Sequence, residues 1–220
     1  PLGPGRKVLD AVQAAFGPGG AVPGRYPFGV LGDLTDAIAA KFKVKRENVL
    51  IGTGSTQVLR TATQVFTSKT QALVGTIPTY EECAGYAELI GSPVRGVALD
   101  KEFRMDLDAM AAAARGAGLV FYCNPNNPVA TAVGAKPTED LIAKVLRDSP
   151  QTTFLVDEAY FDYATDPSYG TMLPLALENP RVIVARTFSK AYGMAGLRLG
   201  YAIGHPKTIK QMADWEGAGS

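Results

Sequence analysis

The sequence predicts an α/β fold, a three-layer α/β/α arrangement around a mostly parallel sheet. Short β-branched or aromatic runs alternate with stretches whose apolar residues recur at helical spacing, the pattern of βαβ units. Runs such as LVFYC (119–123) and TFLVD (153–157) are apolar on both faces, as strands covered by helices on either side must be. A hydrophobic fraction of 46% and a charged fraction of 20% suit a globular chain with one substantial core.

In chain order, helical spacing marks 6–16, and the Gly- and Pro-rich stretch GPGGAVPGRYPFGVLG (17–32) reads as a long irregular segment. A helix is expected over 33–42, the strand VLI over 49–51 and the turn GTGST at 52–56, leading into a helix over 56–66. Strands at 71–75 and 93–98 enclose a helix at 80–90, and a helix at 106–115 is filled by four consecutive alanines. The strand 119–123 ends in the turn NPNNP (124–128), followed by a helix at 138–147. Strands at 153–157, 182–186 and 199–203 and a helix at 206–214 complete the pattern. In such a sheet, ligands gather at the carboxyl ends of the strands, and GTGST, NPNNP, DEAY and TFSK all follow strands.

Composition narrows the function. With 22 basic and 21 acidic residues scattered along the chain, no electrostatic footprint for nucleic acid or anionic lipid exists, so a small ligand is expected. Cys83 and Cys123 lie far apart without a CxxC, and the only histidine, His205, sits in the turn-like GHP, which disfavours a zinc site and Ser-His-Asp chemistry. A reducing, cytoplasmic location fits. PLGPGRK lacks the pattern of a secretory signal, and no apolar stretch reaches the ~20 residues of a membrane span. Without an initiator Met, and ending on WEGAGS, the chain reads as a segment of a longer polypeptide.

The chemistry concentrates in four short segments. In RTFSKAYGMAGLRLGY (186–201), Lys190 follows an apolar strand, a partly desolvated place that favours imine formation with an aldehyde. Thr187 and Ser189 add hydroxyls, Arg198 adds a fork-shaped cation suited to phosphate, and Gly193, Ala195 and Gly196 allow close backbone approach. In VDEAY (156–160), a carboxylate ending an apolar strand needs a partner, and a protonated pyridine nitrogen would serve Asp157 so. Alone, Asp157 is as readily a cap, Lys190 is one basic residue among 22, and GTGST is a capping turn without the third glycine of a dinucleotide fingerprint. Asn127 could meet a ring hydroxyl, and Tyr80 and Tyr160 could stack on or bond a planar heteroaromatic.

Together these segments resemble the fold-type I pyridoxal-5′-phosphate (PLP) aminotransferases, and among them the histidinol-phosphate aminotransferase-like group, over nearly the whole chain. The resemblance implies Lys190 as the Schiff-base lysine and Asp157 as the pyridine-nitrogen partner. It implies Tyr160 and Asn127 at the ring oxygen, Tyr80 stacking on the ring, and Thr187, Ser189, Arg198, Ser55 and Thr56 as the phosphate cup. It further implies a homodimer in which Tyr26 reaches the neighbouring subunit's phosphate. Residues 1–32 would form an N-terminal arm and dimer segment, and 33–220 the large PLP domain, with a small C-terminal domain beyond. The expected reaction is transamination between an amino acid or amino-alcohol phosphate, histidinol-phosphate-like or aromatic, and a 2-oxo acid such as 2-oxoglutarate. A PLP decarboxylase, lyase or synthase, or a non-catalytic PLP-fold module, is the alternative. One departure stands out: Asn127-Pro128-Val129-Ala130 lacks the final glycine of the family's NPTG turn.

Overall fold

A computed structural model describes residues 3–17, 26 and 28–216. Seven strands, β1 (Val49–Thr53), β2 (Leu73–Ile77), β3 (Val94–Ala98), β4 (Leu119–Cys123), β5 (Thr153–Asp157), β6 (Val182–Thr187) and β7 (Leu199–Gly204), form one sheet in the order β1-β7-β6-β5-β4-β2-β3. The helices are α1 (Arg6–Phe16), α2 (Phe28–Phe42), α3 (Ser55–Phe66), α4 (Glu82–Leu89), α5 (Leu107–Ala113), α6 (Ala135–Asp148), α7 (Leu173–Glu178) and α8 (Pro206–Glu216).

Strand alternation divides the core into two layers. Val74, Val120, Tyr122, Phe154, Val156 and Val184 point to one face, against Met110 of α5 and Leu141 and Ile142 of α6. Leu73, Leu119, Phe121, Leu155 and Ile183 point to the other, against Val58, Leu59 and Ala62 of α3 and Met212 of α8. Each such side chain contributes about 1.5–3 kcal/mol on burial, so the double layer fixes the strands and thereby their carboxyl ends.

All strands share one direction except β7, which pairs antiparallel with both β6 and β1. Its amino end therefore lies at the rim where the other strands finish, and the connection 188–198 leaves and returns at that rim. The mostly parallel three-layer sheet agrees with the expected fold.

Local differences have local causes. The helix expected at 33–42 begins at Phe28, so 28–32 is helical despite two glycines, while 18–25 and 27, the rest of the expected irregular segment with its neighbours, lie outside the described residues. Helix α7 was not expected, being six residues long with a proline in its first turn. Tyr80 lies before α4 rather than inside it. Among the described residues, no helix is long and apolar enough to cross a membrane.

Candidate active site

Ser55, Thr56, Tyr80, Asn127, Asp157, Tyr160, Thr187, Ser189, Lys190 and Arg198 line one cavity of about 150 Å³ at the carboxyl rim, together with Cys123, Ala159 and Ala195. Every predicted site residue is therefore brought together except Tyr26, which is 84% exposed and lies outside the cavity lining. Asn127 and Tyr160 also border a neighbouring cavity of about 460 Å³.

One wall is built by α3. Its N-cap is Gly54, at φ +77°, and no side chain caps the helix, so the first-turn N–H groups and the positive end of the dipole face outward beside Ser55 and Thr56. Gly54 also makes room for Arg198, since a Cβ there would stand 2.4 Å from Arg198 Nη2. A Cβ on Gly200 would come within 2.2 Å of the Ser55 backbone nitrogen, so β7 presses against the helix start only because Gly200 lacks a side chain. Arg198 takes a left-handed backbone, φ 53°, and donates from Nη1 to the Ala195 carbonyl at 2.8 Å. Thr187 Oγ1 donates to Ser189 Oγ at 2.9 Å and accepts from the Ser189 N–H at 3.1 Å. Two hydroxyls, a guanidinium and a helix start thus converge, the donor set that an anionic oxygen cluster requires.

The opposite wall is acidic. Asp157 ends β5 and is only 2% exposed. Its Oδ1 accepts from the Ala159 N–H at 3.0 Å, the only hydrogen bond to this carboxylate among the described residues. Burial pushes its pKa up to about 6; the Ala159 N–H opposes the shift, the Glu158 charge adds to it and the Lys190 charge opposes it. A buried carboxylate with spare acceptor capacity facing a cavity suits a ligand that brings a charged N–H. Lys190 Nζ stands 5.2 Å from the centroid of the Tyr160 ring. Lys190 itself is exposed, which corrects the expectation of a partly desolvated amine: it stands in the connection between β6 and β7, past the end of the buried strand. Burial also pushes the Cys123 thiol up, so it lines the cavity as an inert protonated group.

The turn carrying Asn127 is held by its neighbours. Asn124 Nδ2 donates to the Val133 carbonyl and its Oδ1 accepts from the Val133 N–H, both at 2.9 Å. Asn126 accepts from Thr79 Oγ1 at 2.7 Å and donates to the Pro78 carbonyl at 3.0 Å, which ties the Tyr80 segment to the Asn127 turn. Ala130, where the family's glycine was missing, takes φ 59°, a left-handed backbone that costs alanine about 1 kcal/mol relative to glycine.

Sequence reading missed Glu158 and Arg186. Both are buried, and Arg186 donates from Nε and Nη2 to Glu158 Oε2 at 3.0 and 2.7 Å. The signal was present, since each is a charge beside or ending an apolar run, but their pairing needs the β5–β6 register that sets Asp157 opposite Ala185. His205, expected in a surface turn, accepts from the Lys207 N–H at the start of α8.

Residues 3–219 match the family Aminotransferase class I and II, and the chain belongs to that family. The histidinol-phosphate aminotransferase of Moorella thermoacetica is 38% identical to it over 96% of this chain and 53% of that protein. The aromatic amino acid aminotransferase of Thermobifida fusca is 37% identical over 95% of this chain and 56% of its own length. The crystal structure of histidinol-phosphate aminotransferase from Sinorhizobium meliloti in complex with pyridoxal-5′-phosphate superposes with a TM-score of 0.86 at 28% identity, over 97% of this chain and 56% of that one. The chain spans about half the length of the curated relatives it matches.

Proposed function

We propose that this chain forms the cofactor-binding part of a PLP-dependent aminotransferase, with 1–32 as an N-terminal arm and 33–220 as the large domain. The observation that carries the reading is a single cavity in which an amine, a buried carboxylate and an anion cup line the same space. The residues fit the cofactor: the spare acceptor capacity of Asp157 answers a pyridinium N–H, and the uncapped start of α3 with the Arg198 guanidinium and the Thr187 and Ser189 hydroxyls answers a phosphate.

When bound, pyridoxal 5′-phosphate supplies an aldehyde carbon for amines and a ring that withdraws electrons from a substrate's α-carbon. Lys190 would hold that aldehyde, and its amine, once displaced by an amino donor, would carry the proton at the substrate's α-carbon. Asp157 would keep the ring nitrogen protonated, and that positive charge would offset the cost of burying its own carboxylate. Asn127 and Tyr160 would hold the ring oxygen, Tyr80 would cover the ring, and Ser55, Thr56, Thr187, Ser189 and Arg198 would hold the phosphate.

The amino group passes in two half-reactions from a histidinol-phosphate-like or aromatic donor to a 2-oxo acid such as 2-oxoglutarate; the names of the relatives support the amino-group transfer and the donor class. The proposed assembly is a homodimer in which the exposed Tyr26 reaches the neighbouring site. The proposed compartment is the cytoplasm, which suits the free buried thiols of Cys83 and Cys123. The test is a visible spectrum of the protein with PLP, before and after glutamate. Lys190→Ala should lose the imine absorbance and the borohydride-reducible link, and retention of that link in the variant removes Lys190 from its role. Isotope exchange between glutamate and labelled 2-oxoglutarate separates transamination from decarboxylation or β-elimination.

A further inference from the structure

Beneath the cavity floor lies a polar and aromatic relay that none of the proposed cofactor contacts uses. Arg186 stands on β6 one residue before Thr187, and its side chain is buried against Glu158, the residue after Asp157. Its Nη2 also donates to Thr171 Oγ1 at 3.0 Å. Glu158 in turn accepts from Thr171 Oγ1 at 2.8 Å and from the Met172 N–H at 2.7 Å, at the start of α7. The guanidinium carbon lies 4.0 Å from the Phe161 ring centroid and 5.1 Å from that of Phe42 in α2. Phe161 stands 5.7 Å from Tyr169, centroid to centroid, and Tyr169 Oη donates to the Asn124 carbonyl at 2.8 Å.

Followed end to end, the relay joins the carboxyl ends of three strands. From β6 come Thr187, Ser189 and Lys190, from β5 come Asp157 and Tyr160, and from β4 comes the turn of Asn127. A buried ion pair adds little net stability, because desolvating both charges offsets most of their attraction. A planar fork with its acceptors fixed does define one geometry, and Arg, unlike Lys, also stacks on an aromatic face.

We propose that Arg186 and Glu158 are positioning residues: the guanidinium, gripped by Glu158 and stacked on Phe161, sets the turn that aims Asp157 and Tyr160 at the loop of Lys190. The inference rests on the reading of the cavity as the cofactor site. Its consequence is that charge alone at residue 186 does not suffice.

The test compares Arg186→Lys and Tyr169→Phe with the unaltered chain, using PLP as the probe. Four quantities are measured: PLP affinity by absorbance titration, the pH midpoint of the bound cofactor's absorbance, the melting temperature, and amide hydrogen exchange of the cofactor-free protein. Arg186→Lys is expected to weaken PLP binding about tenfold or more, to move the pH midpoint, and to speed exchange at 158–161 while the amides of β4 stay protected. Wild-type affinity and midpoint in Arg186→Lys, with only the melting temperature lowered, overturn the proposal. If Arg186→Lys does not fold, Tyr169→Phe decides. It removes one hydrogen bond at the far end of the relay and is expected to weaken PLP binding roughly threefold and speed exchange at 124–128; no change in either overturns the proposal. Should the unaltered chain bind no PLP, the cofactor reading fails, and hydrogen exchange alone decides whether the relay holds the turn.

Discussion

Asp157 and Glu158 are consecutive carboxylates, each 2% exposed, yet they spend their acceptor capacity in opposite ways. Glu158 is saturated: a guanidinium, a hydroxyl and a backbone N–H meet its two oxygens. Asp157 has one backbone N–H and faces a cavity. Burial is therefore no guide to role; what separates the two is whether the protein itself completes the group. The completed carboxylate holds the floor, and the incomplete one awaits a partner.

The sharpest way to break this contrast is to remove the incomplete carboxylate. Asp157→Ala should retain PLP but lose turnover on the order of 10²–10⁴-fold, read as exchange of isotope label between glutamate and 2-oxoglutarate. Near-normal turnover would show that the ring nitrogen needs no acid there. Removing the completed one should lower stability as well as disturb the site. Glu158→Ala leaves Arg186 buried without its counter-charge, an expected loss of about 3–5 kcal/mol in chemical unfolding. A loss below about 1 kcal/mol would mean that solvent reaches Arg186.

Acidity offers a third comparison. In the cofactor-free protein, Asp157 has a folded-state pKa of about 6 against 3.8 for the ordinary group. A raised carboxyl pKa means that the folded state binds the proton more tightly. Its contribution is present below about pH 4 and disappears as pH rises through 6, a swing of roughly 3 kcal/mol. Asp157→Asn should therefore gain stability relative to the unaltered chain between pH 4 and pH 7, read by urea unfolding without PLP. Parallel curves for the two proteins would refute the shift. The smallest effect is expected from Thr171→Val, which deletes one hydroxyl between Arg186 and Glu158 and should cost about 1 kcal/mol, with PLP affinity lowered by no more than the roughly threefold expected of Tyr169→Phe.

Much of this was legible in the sequence because its signals were local. All seven strands appear as short β-branched or aromatic runs, and the chemical groups follow where those runs stop. Asp157 and Lys190 could be singled out because charge next to an apolar strand demands an explanation. What stayed hidden depends on register or covering. The reversal of β7 and the Glu158–Arg186 pair exist only once strands are aligned, and the exposure of Lys190 depends on what lies above the rim. Helix α7 is too short for its periodicity to show, and the start of α2 was masked by glycines that signal turns elsewhere. Tyr26 was singled out by resemblance, and its reach to a neighbouring subunit remains a proposal for a dimer experiment.

The reversed strand has one more consequence. Lys190 and Arg198 stand at the two feet of a single excursion between β6 and β7, whose pairing sets Thr187 against Gly200. Ladder pairing comes in whole residues, and a slip of one turns every side chain of β7 to the wrong face. The spacing between the strand ends that carry those feet, Thr187 and Gly200, is thus quantised: sequence drift within 191–197 can reshape the arch above, but it cannot slide the strand ends apart by fractions of a step.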